Sequence, residues 1–373
     1  MTKKKFLSFF CSLIILMLGF SSALGGWYTA AETDVAAFAG TDDLVRISDV
    51  ARPTSAKPRN TLGADELAKI RLCAGGMPFG VKMTTDGILV VGICDVAANG
   101  ESVSPAREAG LREGDVIQKI DGERAYDADM LSNAVRDSEG RGIALSVRRG
   151  TDAFERTIVP VYSESDGAYK VGLWVKSRAA GIGTVTFIDP ETGKFGGLGH
   201  GICDGDTGVL LPLGEGEVYD VRIDGVMRGQ SGLPGELHGY FCSGKCGALL
   251  ANTDFGIFGV KNNVPQTMSP TIELCPRDEI REGEAVIYST VDGTEPREYT
   301  VNIRDVDMSN SDIKNFVIEV TDPVLLEATG GIVQGMSGSP VIQDGRLVGA
   351  LTHVLVNDPT RGYGIFIENM LGE

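Results

Sequence analysis

The stretch GGIVQGMSGSPVIQDGRLVGALTHV, residues 330–354, decides how this chain reads. Gly335 and Gly338 bracket Ser337, and glycine enters left-handed backbone conformations without the steric cost other residues carry. A serine on such a turn presents its hydroxyl, and the backbone N–H groups of Gly335 and Ser337 converge on one concavity. Two donors so placed suit the negative oxygen that forms when a hydroxyl attacks a carbonyl. The apolar run after the turn and the hairpin signal Asp344-Gly345 predict two antiparallel strands, a rigid base for the turn.

A serine nucleophile needs a base and a group that orients the base. Three histidines are available. His200 lies in FGGLGHGICDGDTG (195–208), a glycine-dense loop where a side chain can face a cleft, and it is the candidate base. His238, in a glycine turn, and His353, in an apolar strand, read as structural. Only 36 residues follow Ser337, too few for the strands and helices an α/β-hydrolase places after its serine. For a His, acid, Ser order the acid candidates are Asp254, Asp305, Asp307, Asp312 and Asp322. Asp322 ends the strand NFVIEVTDP, fifteen residues before Ser337; Asp305 is the next choice. GMSGSP resembles the nucleophile loop of chymotrypsin-like peptidases, with Met336 and Ser339 departing from its commonest form.

From about residue 166 to 373 short apolar runs alternate with turn signals, which predicts an all-β domain of two small barrels. Upstream, residues 73–165 mix strands with two helices: a short one over Ala106–Ala109 stopped by Gly110, and an amphipathic one over Asp127–Asp137 with Met130, Leu131 and Val135 inward. The run AGLREGDVIQKIDG (109–122) resembles a circularly permuted PDZ domain of bacterial proteases. That resemblance implies a peptide-binding loop, and MPFGVKM (77–83) offers Phe79, Gly80 and Val81 for it. An extended peptide would add to the sheet edge there, its carboxylate in a nest of backbone amides.

Lys3, Lys4 and Lys5 precede an uncharged run from Phe6 to Phe20, so residues 1–27 read as a signal peptide or a membrane anchor with the rest of the chain outside. Residues 28–72 carry prolines, charges and small residues without periodicity, as a linker does. The 373 residues hold 34 basic and 51 acidic side chains, a net charge of −17. No basic face is offered to phosphates, which excludes nucleic acid as a partner. Seven cysteines are too few for a disulfide scaffold; Cys242 and Cys246 are a candidate pair. No metal or other cofactor is implied. Two rival readings are a metal-dependent hydrolase built on His200, His238 and the cysteines, and a secreted PDZ scaffold without catalysis.

The apolar anchor, the linker, the PDZ run, GLGHGI (197–202) and TDPVLLEATGGIVQGMSGSP (321–340) together resemble the SpoIVB serine peptidases of endospore-forming bacteria, peptidase family S55. The resemblance implies a mainly β fold in which a PDZ domain (α+β) precedes a chymotrypsin-like double β-barrel, behind an N-terminal transmembrane or signal helix. It implies a Ser-His-Asp endopeptidase with Ser337, His200 and Asp322 in those roles. It also implies self-cleavage in the linker and action between the forespore and mother-cell membranes. The implied partner is a regulator of a membrane-embedded protease complex, whose cleavage leads to activation of a mother-cell sigma factor.

Overall fold

The computed structural model describes residues 64–262, 270–310 and 312–372. The segment 1–27 and most of the linker lie outside the described residues. Among the described residues no helix is long and apolar enough to cross a membrane.

The described residues open with a short helix, α1 (Ala64–Leu67), then β1 (Leu72–Ala74) and a long strand β2 (Pro78–Ile93). The end of the expected linker is therefore built into the fold. Leu67 and Leu72 are buried with Leu274, Ile342 and Leu347, and β1 pairs with two later strands.

The second half of β2 enters a smaller domain. It comprises β3 (Val96–Ala98), β4 (Glu101–Val103), helix α2 (Pro105–Glu108), β5 (Val116–Ile120), β6 (Glu123–Arg124), helix α3 (Ala128–Asp137), β7 (Ile143–Arg149), β8 (Asp152–Ile158), β9 (Val161–Ser163) and β10 (Ala168–Lys170). Ile88, Ile117, Leu131, Leu145 and Ile158 form its core. The Asp121-Gly122 turn forms as the sequence predicts, with both residues at positive φ between β5 and β6. Asp127 caps α3 by accepting the Asp129 N–H, and Leu131 and Val135 point inward. Asp115 is fully buried, held by the Arg149 guanidinium and the Arg112 N–H.

The chain returns through β11 (Leu173–Ile188), then β12 (Lys194–Gly197), β13 (Leu213–Met227), β14 (Glu236–Thr253) and β15 (Gly256–Lys261). The first half of β2 pairs with β11 and β13, β11 with β12, β12 with β15, β15 with β14, and β14 with β13. These pairings close a six-stranded antiparallel barrel around Phe79, Val81, Val185, Phe195, Val218 and Ile257. After β16 (Thr271–Leu274) come β17 (Gly283–Ser289), β18 (Arg297–Arg304), β19 (Phe316–Val320), helix α4 (Pro323–Thr329), β20 (Pro340–Gln343), β21 (Arg346–Leu355), β22 (Asp358–Phe366) and helix α5 (Ile367–Leu371). The order β17-β18-β19-β22-β21-β20 returns to β17, a second closed six-stranded barrel. In β18 every second residue, Tyr299, Val301 and Ile303, faces its core, the period expected of a barrel strand.

The expected double barrel is present, with one change of boundary. The first barrel's opening strand is residues 78–85, upstream of the small domain, so that domain is an insertion between the barrel's first strand and its other five. A strand continuous across a domain boundary carries no composition shift, and the sequence therefore set the boundary at 73.

Candidate active site

Ser337 sits where the two barrels meet. Helix α4 ends at Gly330 in the left-handed conformation, and the following residues lead to Gly335 (φ 95°) and Gly338 (φ 97°). At Gly338 no other residue fits. A Cβ there would lie 2.0 Å from the Thr184 carbonyl oxygen and 2.5 Å from the Leu198 nitrogen. The turn is gripped by β11 of the first barrel. Thr184 N–H donates to the Ser337 carbonyl (2.9 Å), Thr184 Oγ1 to the Gly335 carbonyl (2.8 Å) and Thr186 Oγ1 to the Gly338 carbonyl (2.8 Å). Met336 fills the second core. Ser339 closes the turn by donating its hydroxyl to the Met336 carbonyl (2.7 Å). The two departures from the commonest serine-peptidase motif thus both serve packing. Among the described residues neither the Gly335 nor the Ser337 N–H donates to a protein acceptor.

The His200 loop backs onto this turn. Leu198 (φ 65°) and Gly199 (φ 71°) are both left-handed, and a Cβ on Gly199 would come within 2.9 Å of Thr352 Cγ2. Asn252 fixes the loop beyond His200, accepting the Ile202 N–H (2.8 Å) and donating to the Ile202 and Leu211 carbonyls (2.9 and 2.8 Å). His200 is buried, and its Nδ1 lies 2.8 Å from the Gly201 carbonyl oxygen. A carbonyl only accepts, so this contact puts the proton on Nδ1 and leaves Nε2 as the basic nitrogen. Ser337 Oγ donates to the Thr352 carbonyl (2.5 Å). Ser337, the His200 loop and Thr352 therefore form one cluster, and the next residue, His353, lays its ring 4.6 Å from that of His200.

Two expectations change here. Asp322 does not reach His200. Its Oδ1 accepts the Val324 and Leu325 N–H groups (2.9 and 3.0 Å), and its Oδ2 faces the Thr300 N–H (3.3 Å). It is the N-cap of α4. Lys314, whose charge acts on His353, precedes β19, whereas Asp322 follows it. At ~3.3 Å per residue the strand sets the two ends on the order of 15–20 Å apart. The capping signature Asp-Pro before a helical run was legible in TDPVLLEAT; reading it as a triad acid hid that role. Asp305, the next choice, is exposed beyond the end of β18 and accepts nothing from His200; its N–H donates to Glu282. Conversely His353, read as structural, is at the site.

The second change concerns peptide binding. Phe79, Gly80 and Val81 are not a loop. Phe79 and Val81 are fully buried in the first barrel, and Gly80 pairs with Ile182 on one side and Tyr219 on the other. Its glycine is required because the Phe241 ring covers it, 2.2 Å from where a Cβ would stand. Elsewhere in the small domain a cleft of about 620 Å³ opens between α3 and the start of β11, lined by Leu131, Val135, Val171, Leu173 and Trp174. There β11 pairs with β2 on one side, and Val171-Gly172-Leu173 leads into it. Trp174 is 66 % exposed.

Cys242 and Cys246 lie on the one strand β14 as free thiols. The strand bulges between them at Gly244 (φ 87°), where the step from Phe241 to Lys245 opposes the shorter step from Val221 to Tyr219 on β13. His238 is exposed on the same strand. Among the described residues no three His, Cys, Asp or Glu side chains come together as a metal site.

The family profile described as SpoIVB peptidase S55 matches residues 167–371, and a PDZ profile matches residues 96–149. A candidate zinc metalloprotease of Clostridium perfringens is 36% identical over 70 residues, 19% of this chain and 21% of that protein. Another from Clostridium acetobutylicum is 29% identical over 107 residues, 29% of this chain and 28% of that protein. The chain thus spans about a fifth to a quarter of the length of these curated relatives. Among solved structures, the active form of the Rv3671c protease of M. tuberculosis aligns with 52% of this chain and 72% of its own, at 15% identity and a TM-score of 0.31. The PDZ domain of an SdrC-like protein of Listeria monocytogenes aligns with 25% of this chain and 90% of its own, at 19% identity and a TM-score of 0.20.

Proposed function

The chain belongs to the SpoIVB S55 peptidase family, a family of serine peptidases, and from that premise we propose that Ser337 is the nucleophile and His200 the general base of an endopeptidase. The observation that carries the assignment is the shared cluster at Thr352: the serine hydroxyl bonds its carbonyl and Gly199 of the base loop packs on its side chain.

In the resting arrangement the Ser337 proton is given to the Thr352 carbonyl. Catalysis needs the hydroxyl to swing that proton to His200 Nε2 while Oγ attacks the scissile carbonyl carbon. The resulting oxyanion is held by the N–H groups of Gly335 and Ser337. The C–N bond then breaks as the imidazolium returns its proton to the leaving amine, and water, deprotonated by the same base, releases the acyl group. Gly201 supplies the carbonyl that sets the His200 tautomer. Asp322 serves the same turn from a distance, by capping the helix whose C-terminus feeds it.

We further propose that the enzyme cuts itself between the apolar N-terminal segment and Leu67, because Leu67 and Leu72 anchor the chain that follows in the core. Its target is a regulator of a membrane-embedded protease complex that controls a mother-cell sigma factor, met between the forespore and mother-cell membranes. The PDZ groove presents the free edge of β11 to an extended peptide, with Leu131 and Val135 beneath its side chains. Ser337→Ala, purified at full length, should remain unprocessed while wild type shortens. Processing at the wild-type rate would overturn the assignment. Val135→Asp should abolish peptide binding at the groove yet leave Ser337 reactive.

A further inference from the structure

His353 has no role in the scheme above, yet it packs on the base itself. The two imidazole rings lie with centroids 4.6 Å apart and planes tilted by 36°, within the separation at which aromatic rings attract. His353 follows Thr352, whose carbonyl accepts from Ser337 and whose hydroxyl faces the Ile313 and Tyr363 carbonyls (3.3 and 3.2 Å). The ring is therefore carried by a strand position pinned on both sides. The charged and titratable groups acting on it are His200, from the loop after β12, and Lys314, before β19. The Lys314 ammonium is itself placed over the Tyr363 ring of β22, 5.0 Å from its centroid.

We infer that His353 is a positioning residue for the general base: its ring fixes the plane of His200 and offers its face to the imidazolium that forms when His200 takes the Ser337 proton. The inference rests on the assignment of Ser337 and His200 made above. A flat ring face stabilises an adjacent cation through its quadrupole, and it does so here only while His353 carries no charge. Burial, then the neighbouring His200 and Lys314 charges, hold His353 well below the ordinary histidine range, which favours its neutral form. The positive Lys314 thus acts on the base indirectly, by keeping its platform uncharged.

The test compares His353→Phe with His353→Leu. Both remove titration and fill similar space, but only phenylalanine keeps a ring face. The readout is the rate at which a fluorophosphonate inactivates Ser337 across pH 5–9. Phenylalanine should stay within about threefold of wild type. Leucine should slow the reaction at least tenfold and move its acid limb to lower pH by roughly half a unit or more, since the imidazolium loses a stabilising neighbour. Equal rates and equal midpoints for the two variants would reduce His353 to a space-filler and overturn the inference. A wild-type enzyme that the reagent never labels at Ser337 would instead overturn the underlying assignment, and the inference with it. Should either variant fail to fold, wild-type imidazole NMR decides the matter. The inference expects nuclear Overhauser contacts between the His200 and His353 rings, with His353 neutral throughout the His200 titration. Absent contacts, or a His353 that protonates first, refute it.

Discussion

Replacing Gly338 by alanine tests the junction on which the site depends. Gly338 is held at φ 97°, where an L-residue costs about 1–2 kcal/mol. The added methyl would also stand 2.0 Å from the Thr184 oxygen and 2.5 Å from the Leu198 nitrogen. Both are backbone atoms, so relief requires the barrels to part locally, a further ~1–3 kcal/mol by analogy with overpacked cores. A total near 3 kcal/mol is expected from thermal unfolding. The displacement falls on Ser337 and on the loop that leads to His200, and a shift of about 1 Å in reacting groups costs on the order of 100-fold in rate. Gly345→Ala is the internal control. Its φ is 75° but nothing lies within 4 Å of the new Cβ, so it should lose about 1–2 kcal/mol and no activity. Casein hydrolysis by Gly338→Ala at more than a third of the wild-type rate would refute the reasoning, because the methyl could then be accommodated without moving the site.

Substitutions at two further positions, Asp322 and Lys176, have distinct expected outcomes. Asparagine caps helices as well as aspartate, so Asp322→Asn should keep both stability and activity within tenfold, whereas Asp322→Ala should lose about 1–2 kcal/mol in thermal unfolding. A folded Asp322→Asn chain slowed by three or more orders of magnitude would instead make Asp322 the acid of the triad. Asp204, buried beside the His200 loop, is paired with Lys176 on β11. Burial raises its pKa, but the bonds from Lys176 and Thr207 outweigh that and leave it lowered. Its contribution is therefore present above the ordinary carboxylate range and is lost as pH falls through the lowered value. Lys176→Met should cost about 1–3 kcal/mol at pH 7, less than a fully buried pair because the lysine is partly exposed, and the deficit should shrink towards pH 3 in urea titrations.

The double barrel was legible because its strands alternate apolar and polar residues and are punctuated by turns such as Asp344-Gly345, which are local signals. The turn at Ser337 was legible for the same reason: the two glycines around it state a backbone conformation directly. What could not be read were the contacts that cross between barrels. Gly80 and Gly199 look alike as letters. One lies flat under the Phe241 ring in a central strand, and the other is a left-handed turn against Thr352; only the partner tells them apart. His353 sits in an apolar strand like many structural histidines, and its neighbour is 153 positions upstream. Asp322 shows the converse case, in which a local capping signal was present and a non-local role was assigned to it.

The central claim is that Ser337 is made nucleophilic by His200 across the barrel junction. Labelling the full-length protein with a fluorophosphonate, followed by peptide mapping, tests it most directly. One adduct is expected, on Ser337, forming at least 100-fold more slowly in His200→Ala while circular dichroism shows the fold unchanged. An adduct elsewhere, or a Ser337 that reacts as fast without His200, would contradict it.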